Sequence, residues 1–224
     1  MILRPRNLKH MEELLRQVPE AKRKVIVFVG RHPNEGTINI ALHHHEKWEK
    51  HGAVVVRIPA RWTPHWLWKT AEKRKLSKEV VKRLHANVPD DSQVTDFLKS
   101  KGFTAPVVHF HGTPVDNYDL SRPSLLQFER YGNAVAVELY FLDPLKYRRK
   151  ETAVGKYGRG MEEPNTQVGN NLELGWPRGQ LHPDYIDKIG QVNRAAIKAF
   201  SEKHAGKFEE ILAELASKGL QRRS

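Results

Sequence analysis

Apolar residues recur along this chain in two rhythms, and the way those rhythms alternate predicts its elements. Leu8, Met11, Leu14, Leu15 and Val18 keep helical spacing, and Pro19 ends that segment. Residues 25–30, VIVFVG, form a short continuous apolar run rich in β-branched side chains and closed by glycine. Such a run suits a strand buried on both faces, as in a parallel α/β sheet. Residues 36–51 read as a helix that Gly52 stops, and residues 53–59, AVVVRIP, as a second buried strand. The strand–helix–strand succession has the length of a parallel crossover.

A proline-broken, tryptophan-rich loop follows, RWTPHWLWK. Leu76, Val80, Val81 and Leu84 then mark a basic amphipathic helix, and Val94, Phe97 and Leu98 another that Gly102 ends. Residues 105–114 are expected to form a third strand running into a Gly-Thr-Pro turn, and residues 133–142 a fourth strand. From Asp143 to Gly175 the chain is irregular and glycine-punctuated, ending in the short strand NNLELG. His182, Pro183 and Asp184 open the last major helix, with proline and aspartate suited to its first turn. Ile186, Ile189, Val192, Ile197 and Phe200 give that helix a buried stripe, and Phe208, Ile211, Leu212 and Leu215 predict one more. The expected fold class is α/β, a mixed and mostly parallel central sheet flanked by helices. One domain spans residues 1–224, with an N-terminal helix in 1–23, an irregular segment over 143–180 and C-terminal helices over 183–218.

Composition narrows the classes. With 39% of residues apolar and 29% charged, a core is easily built under a well-solvated surface. No stretch approaches the ~18 apolar residues of a spanning helix, and the N-terminus shows no signal-peptide core. A soluble cytoplasmic protein without a membrane partner is the expectation. The absence of cysteine excludes disulfides, thiolate metal sites, iron–sulfur clusters and a cysteine nucleophile. A formal net charge of +12 raises the chance of an anionic partner without choosing among nucleic acid, membrane surface and acidic metabolite. Much of that charge lies on helices beside glutamates, as a solvated face does.

The fragment richest in chemistry is Gly30-Arg31-His32-Pro33-Asn34-Glu35, directly after the first buried strand. Ligands of α/β sheets gather at the carboxyl ends of strands. A His and a Glu three apart at such an end can serve one metal ion, and zinc accepts both imidazole and carboxylate. A third protein ligand is then needed, and His111 lies at the end of another buried strand. The bland alternative makes His32 and Glu35 helix caps and His111 a hydrogen-bonded core histidine.

These residues resemble the G-x-H-G-N-E motif of the succinylglutamate desuccinylase and aspartoacylase family, relatives of the zinc carboxypeptidases. The resemblance implies a zinc carboxypeptidase-like fold, with His32 and Glu35 as two zinc ligands. The family's third ligand ends an Asp-Leu-His strand; His109-Phe110-His111 matches it, which makes His111 the ligand and puts His109 in place of the aspartate. The family's catalytic glutamate lies in a segment similar to Asn171-Leu172-Glu173-Leu174-Gly175, which implies Glu173 as the base that activates water against an amide carbonyl. Glu138, in AVAVELYF, is the alternative base. Pro33 stands where the family has glycine, and the family's Asn-Arg substrate clamp has no counterpart. Arg57 and Arg61 replace it by position only, as candidate substrate-binding cations.

The function implied is a zinc-dependent hydrolase cleaving an amide in a small, anionic N-acyl amino acid or peptide-like substrate. The alternative is a catalytically inactive, basic RNA-binding protein on the same fold; nucleic acid fits the charge but is not favoured. His43, His44 and His45 point about 100° apart on a helix, so a solvated face suits them better than a shared ion. Trp62, Trp66 and Trp68 with the neighbouring cations are expected to pack under a loop, although such a stretch can also stack bases.

Overall fold

The computed structural model describes residues 1–31, 36–59, 62, 74–86, 88–115, 126–131, 134–142, 194 and 196–219. His32, Glu35, Arg61, Trp66, Trp68, Glu173 and the 143–180 segment lie outside those residues, as does most of the helix expected from residue 183.

The strands are β1 (Ile2–Leu3), β2 (Val25–Val29), β3 (Ala53–Arg57), β4 (Val107–Val115), β5 (Leu126–Tyr131) and β6 (Ala134–Leu142). They form one sheet in the order β1-β3-β2-β4-β6-β5. The first five in that order run parallel, and β5 pairs antiparallel on β6 at the edge. The helices are α1 (Leu8–Gln17), α2 (Thr37–Lys50), α3 (Lys78–Ala86), α4 (Asp91–Ser100) and α5 (Ala205–Lys218), with residues 196–203 also helical. The protein is thus an α/β sheet flanked by helices. None of the described helices is long and apolar enough to cross a membrane.

Strand alternation sorts the side chains into two cores. Val25, Val27 and Val29 face one core with Val55, Trp48 of α2, Phe200, and Phe208 and Leu212 of α5. Ile26 and Phe28 face the other with Val54 and Val56, Met11 and Leu15 of α1, and Val94 and Leu98 of α4. Burial on both faces explains why β2 and β3 read as unbroken apolar runs rather than as alternation. Helix α1 is docked on α4 through a bond from Arg16 Nη2 to the Lys101 carbonyl, 2.9 Å long, with the Arg16 guanidinium 5.2 Å from the Phe103 ring centre.

Connectivity creates the crevice. The crossover from β2 through α2 leads to β3 on one side of β2, whereas the chain leaving β3 returns through α3 and α4 to β4 on the other side. Because α2 and α4 pack on opposite faces, β2 and β4 flank a topological switch point, the place where α/β sheets bind ligands. Pairing between β2 and β4 ends at Phe28 with His109, yet β4 stays paired with β6 as far as Val115 with Leu142. The crevice therefore opens beside His111.

Three sequence expectations are corrected. Gly112, Thr113 and Pro114 continue β4 rather than turn. Proline is tolerated there because β2 no longer pairs with β4 at that level, so no ladder hydrogen bond toward β2 is lost. His44 is not solvated: it is 3% exposed, bonded through Nε2 to Ser201 Oγ at 3.1 Å and stacked near Trp48, because the helix turns it inward with Ile40 and Trp48. Strands β1 and β5 add to the four that the apolar runs predict. Trp62 packs into the α4-side core.

A candidate site at the switch point

Gly30 makes the turn out of β2. Its φ is +81°, and a Cβ there would lie 2.7 Å from the Ile38 side chain, so the position needs glycine. Its N–H donates to Thr37 Oγ1 over 3.0 Å, tying the strand end to the first turn of α2. The next residue, Arg31, folds its side chain over the switch point and is 13% exposed. Arg31 Nη1 donates to the Pro89 carbonyl at 2.7 Å, and its Nε lies 3.8 Å from Asp91 Oδ1.

Helix α4 delivers Asp91. Asp90 caps the helix in a reciprocal box: its Oδ1 accepts from the Gln93 N–H at 2.8 Å, and Gln93 Oε1 accepts from the Asp90 N–H at 2.9 Å. Asp91 is then the first helical residue, where the helix dipole favours negative charge. Asp91 Oδ2 lies 2.7 Å from His111 Nε2, and Oδ1 lies 3.5 Å from His109 Nδ1. One turn later, Thr95 Oγ1 stands 2.9 Å from the Asp91 carbonyl and 2.9 Å from His109 Nε2.

Both histidines belong to the α4 side of β4. Val108 and Phe110 take the alternate positions and enter the α2-side core. His109 is buried and stacks on Phe28, and the His109 and His111 rings lie 6.5 Å apart at 19°. Phe28, Arg31, Ile58, Asp91, His109 and His111 line a shallow recess.

Protonation follows from this packing. Burial pushes the Asp91 carboxyl up, but the hydrogen bond from His111 and the nearby cationic groups of His109, His111 and Arg31 outweigh it and hold the pKa at about 2. Asp91 is therefore a carboxylate at neutral pH and only accepts, so the proton of the 2.7 Å bond sits on His111 Nε2. In the neutral imidazole the lone pair is then on Nδ1. Burial lowers His109 to about 4, against the pull of Asp91, and His109 is neutral at pH 7. The Thr95 hydroxyl has one proton: given to the Asp91 carbonyl, it requires His109 Nε2–H as donor; given to His109, it leaves the imidazole proton on Nδ1, toward Asp91.

His111 lies in the crevice at the switch point, in the middle of its strand rather than at the end that the pattern predicts, because β4 runs on to Val115. Glu138 is its register partner on β6. Arg57 ends β3, where alternation from Val56 turns it toward the α2 side, away from the face carrying His111. Arg31 is the cation that the recess contains. Among the described residues no three His, Asp or Glu side chains are arranged to hold a metal, and two of the three expected ligands lie outside those residues. Sequence reasoning passed over Arg31, Asp91 and Thr95. The capping signature Asp90-x-x-Gln93 marks where α4 starts, but nothing local shows that Asp91 meets a strand 20 residues on.

No family model, curated protein or solved structure matches the chain. Its class rests on its own geometry: an α/β protein with a polar, histidine-containing recess at the switch point of a largely parallel sheet.

Proposed function

We propose that the protein is a zinc-dependent amidohydrolase of the aspartoacylase and desuccinylase kind, cleaving an amide in a small anionic N-acyl amino acid or peptide-like substrate. The observation that carries this reading is the place of His111, in the crevice beside the end of β2, the strand that leads in sequence to His32 and Glu35. Its Nε2 is committed to a carboxylate, which in the neutral imidazole puts the lone pair on Nδ1, as in a metal-ligating histidine. Two imidazoles and a carboxylate, from His32, His111 and Glu35, are a donor set that zinc accepts with a position left for solvent.

The ion would supply Lewis acidity that makes water a nucleophile near neutral pH. Glu173 takes the proton of the attacking water and delivers it to the departing amine, with Glu138 as the alternative base. Arg31 adds positive charge beside the recess, where negative charge develops on the carbonyl oxygen. Arg61 remains a candidate for the substrate's own carboxylate, whereas Arg57 is turned to the α2 side of the sheet. The formal charge of +12 favours the approach of an anion.

Metal analysis of the purified protein, joined to a screen of N-acyl amino acids, tests the reading. Stoichiometric zinc, chelator-sensitive hydrolysis and loss of both in His111→Ala are expected. Glu173→Gln is expected to abolish turnover while keeping the metal; if Glu138→Gln does so instead, the base is Glu138. A protein that holds no zinc and binds RNA with steeply salt-dependent affinity after chelation replaces this reading with the RNA-binding one.

A further inference from the structure

We infer that Asp91 is the positioning residue of His111: its carboxylate fixes the heading and tautomer of that imidazole, and through them the affinity of the centre for a divalent cation. This rests on the metal-centre reading above and adds to it a residue from a different element, the first turn of α4.

Four contacts hold Asp91 for that purpose. The capping box of Asp90 and Gln93 fixes the backbone from which it projects. Thr95, one turn along, binds its carbonyl and touches His109. On the carboxylate, Oδ1 faces His109 Nδ1 and Arg31 Nε at 3.5 and 3.8 Å, so Oδ2 is turned to His111 Nε2 at 2.7 Å. Arg31 is itself fastened to the Pro89 carbonyl, two residues before Asp91. From the end of β2 and from β4, Arg31, His109 and His111 converge on this one carboxylate. A carboxylate so enclosed would be costly as a mere helix-start residue, a task an exposed aspartate performs as well. Bonded to Nε2, it makes Nδ1 the ligating atom and raises its basicity, and losing such a partner typically weakens metal binding about 10–100-fold.

The test uses the full chain, stripped of metal, with zinc alone as probe in competition with a chromophoric chelator. Asp91→Asn, which keeps the shape and removes the charge, is expected to weaken zinc about 10–100-fold. Asn7→Ala, which uncaps α1 and leaves the start of α4 and the carboxylate on His111 as they are, is expected to stay within about twofold of wild type. Proton NMR of the metal-free protein is expected to show the His111 Nε2 proton shifted downfield by its carboxylate partner, and Asp91→Asn to lose that shift. Zinc affinity unchanged in Asp91→Asn, or a wild-type protein without the downfield proton, overturns the role of Asp91 and leaves the metal centre standing. Wild-type protein that shows the proton yet binds no zinc overturns the metal reading and, with it, the claimed effect on affinity, while the pairing of Asp91 with His111 survives.

Discussion

Phe28 and His109 face each other across the last paired step of β2 and β4, with their rings stacked 5.3 Å apart at 13°. The stack is the floor on which the polar recess stands: Phe28 belongs to the α4-side core, and His109 carries that packing up to Asp91 and Thr95. An apolar ring beneath a neutral imidazole also excludes water from one side of the cluster.

Phe28→Ala is therefore expected to cost about 3–5 kcal/mol of unfolding free energy, as for a buried aromatic in a packed core. Phe28→Leu, which keeps most of the volume but not the flat face, is expected to cost less than half as much. Urea unfolding of the two variants checks this: a loss near zero in Phe28→Leu would show that the ring stack contributes nothing beyond volume, and equal losses that the flat face rather than the volume carries the effect.

Burial sets the pH dependence of the metal-free protein. His109 titrates at about 4 in the folded state against 6.5 unfolded, so the unfolded chain binds the extra proton first. Its contribution is intact above pH 6.5 and falls by about 3 kcal/mol as pH drops to 4. Burial also lowers His44 and His204, which weaken the fold in the same direction. Asp91, held at about 2, contributes stability above its unfolded value of 3.8 that is lost as pH falls toward 2. Urea midpoints measured from pH 7 to 4.5 should decline in the wild type and decline less in His109→Gln; parallel curves would contradict the assignment.

Gly30 holds the strand end by conformation as well as by space. Gly30→Ala is expected to cost about 1–3 kcal/mol, from a left-handed φ and a Cβ pressed against Ile38. Shortening the neighbour in Gly30→Ala/Ile38→Ala relieves only the contact, so coupling between the two changes, read from a double-mutant cycle, should be favourable yet incomplete. Full recovery of the Gly30→Ala cost in that cycle would mean that the backbone conformation there carries no strain.

The legible parts of this fold are those whose signal is local. Val25–Val29 and Ala53–Arg57 read as buried strands because both their faces are covered, and Gly52, at φ +74°, stops α2 where the sequence places the stop. Strand β1 has two residues, too few for any period, and exists only as a partner of β3. Strand β5, LQFERY, carries the mixed charge of an edge strand and breaks its alternation at Arg130. His111 was legible as a histidine on a buried strand, although β4 runs past it to Val115. Asp91 was not, since its meaning comes from a 2.7 Å contact between a helix start and a strand that only the assembled sheet creates. Arg57 and Arg31 show the same limit: both are strand-end cations in sequence, but alternation turns Arg57 to the α2 side while the turn at Gly30 carries Arg31 over to His111.

Zinc itself supplies a prediction that needs no substrate. A cation that binds the folded chain alone stabilises it by about 2.7 kcal/mol at a hundredfold excess over its dissociation constant. For a chain of this size that raises the melting temperature by about 5–10 °C. His111→Ala removes a proposed ligand and should abolish the rise. Asn7→Ala should lower the melting temperature through the lost cap of α1, by about 1 kcal/mol in free energy, and keep the rise in full. The six melting curves, each protein with and without zinc after chelation and dialysis, separate ligation from helix stability. A rise of equal size in wild type and His111→Ala would place the bound zinc elsewhere on the chain, for instance on the exposed His43 of α2, and would remove the switch-point crevice from the proposed chemistry.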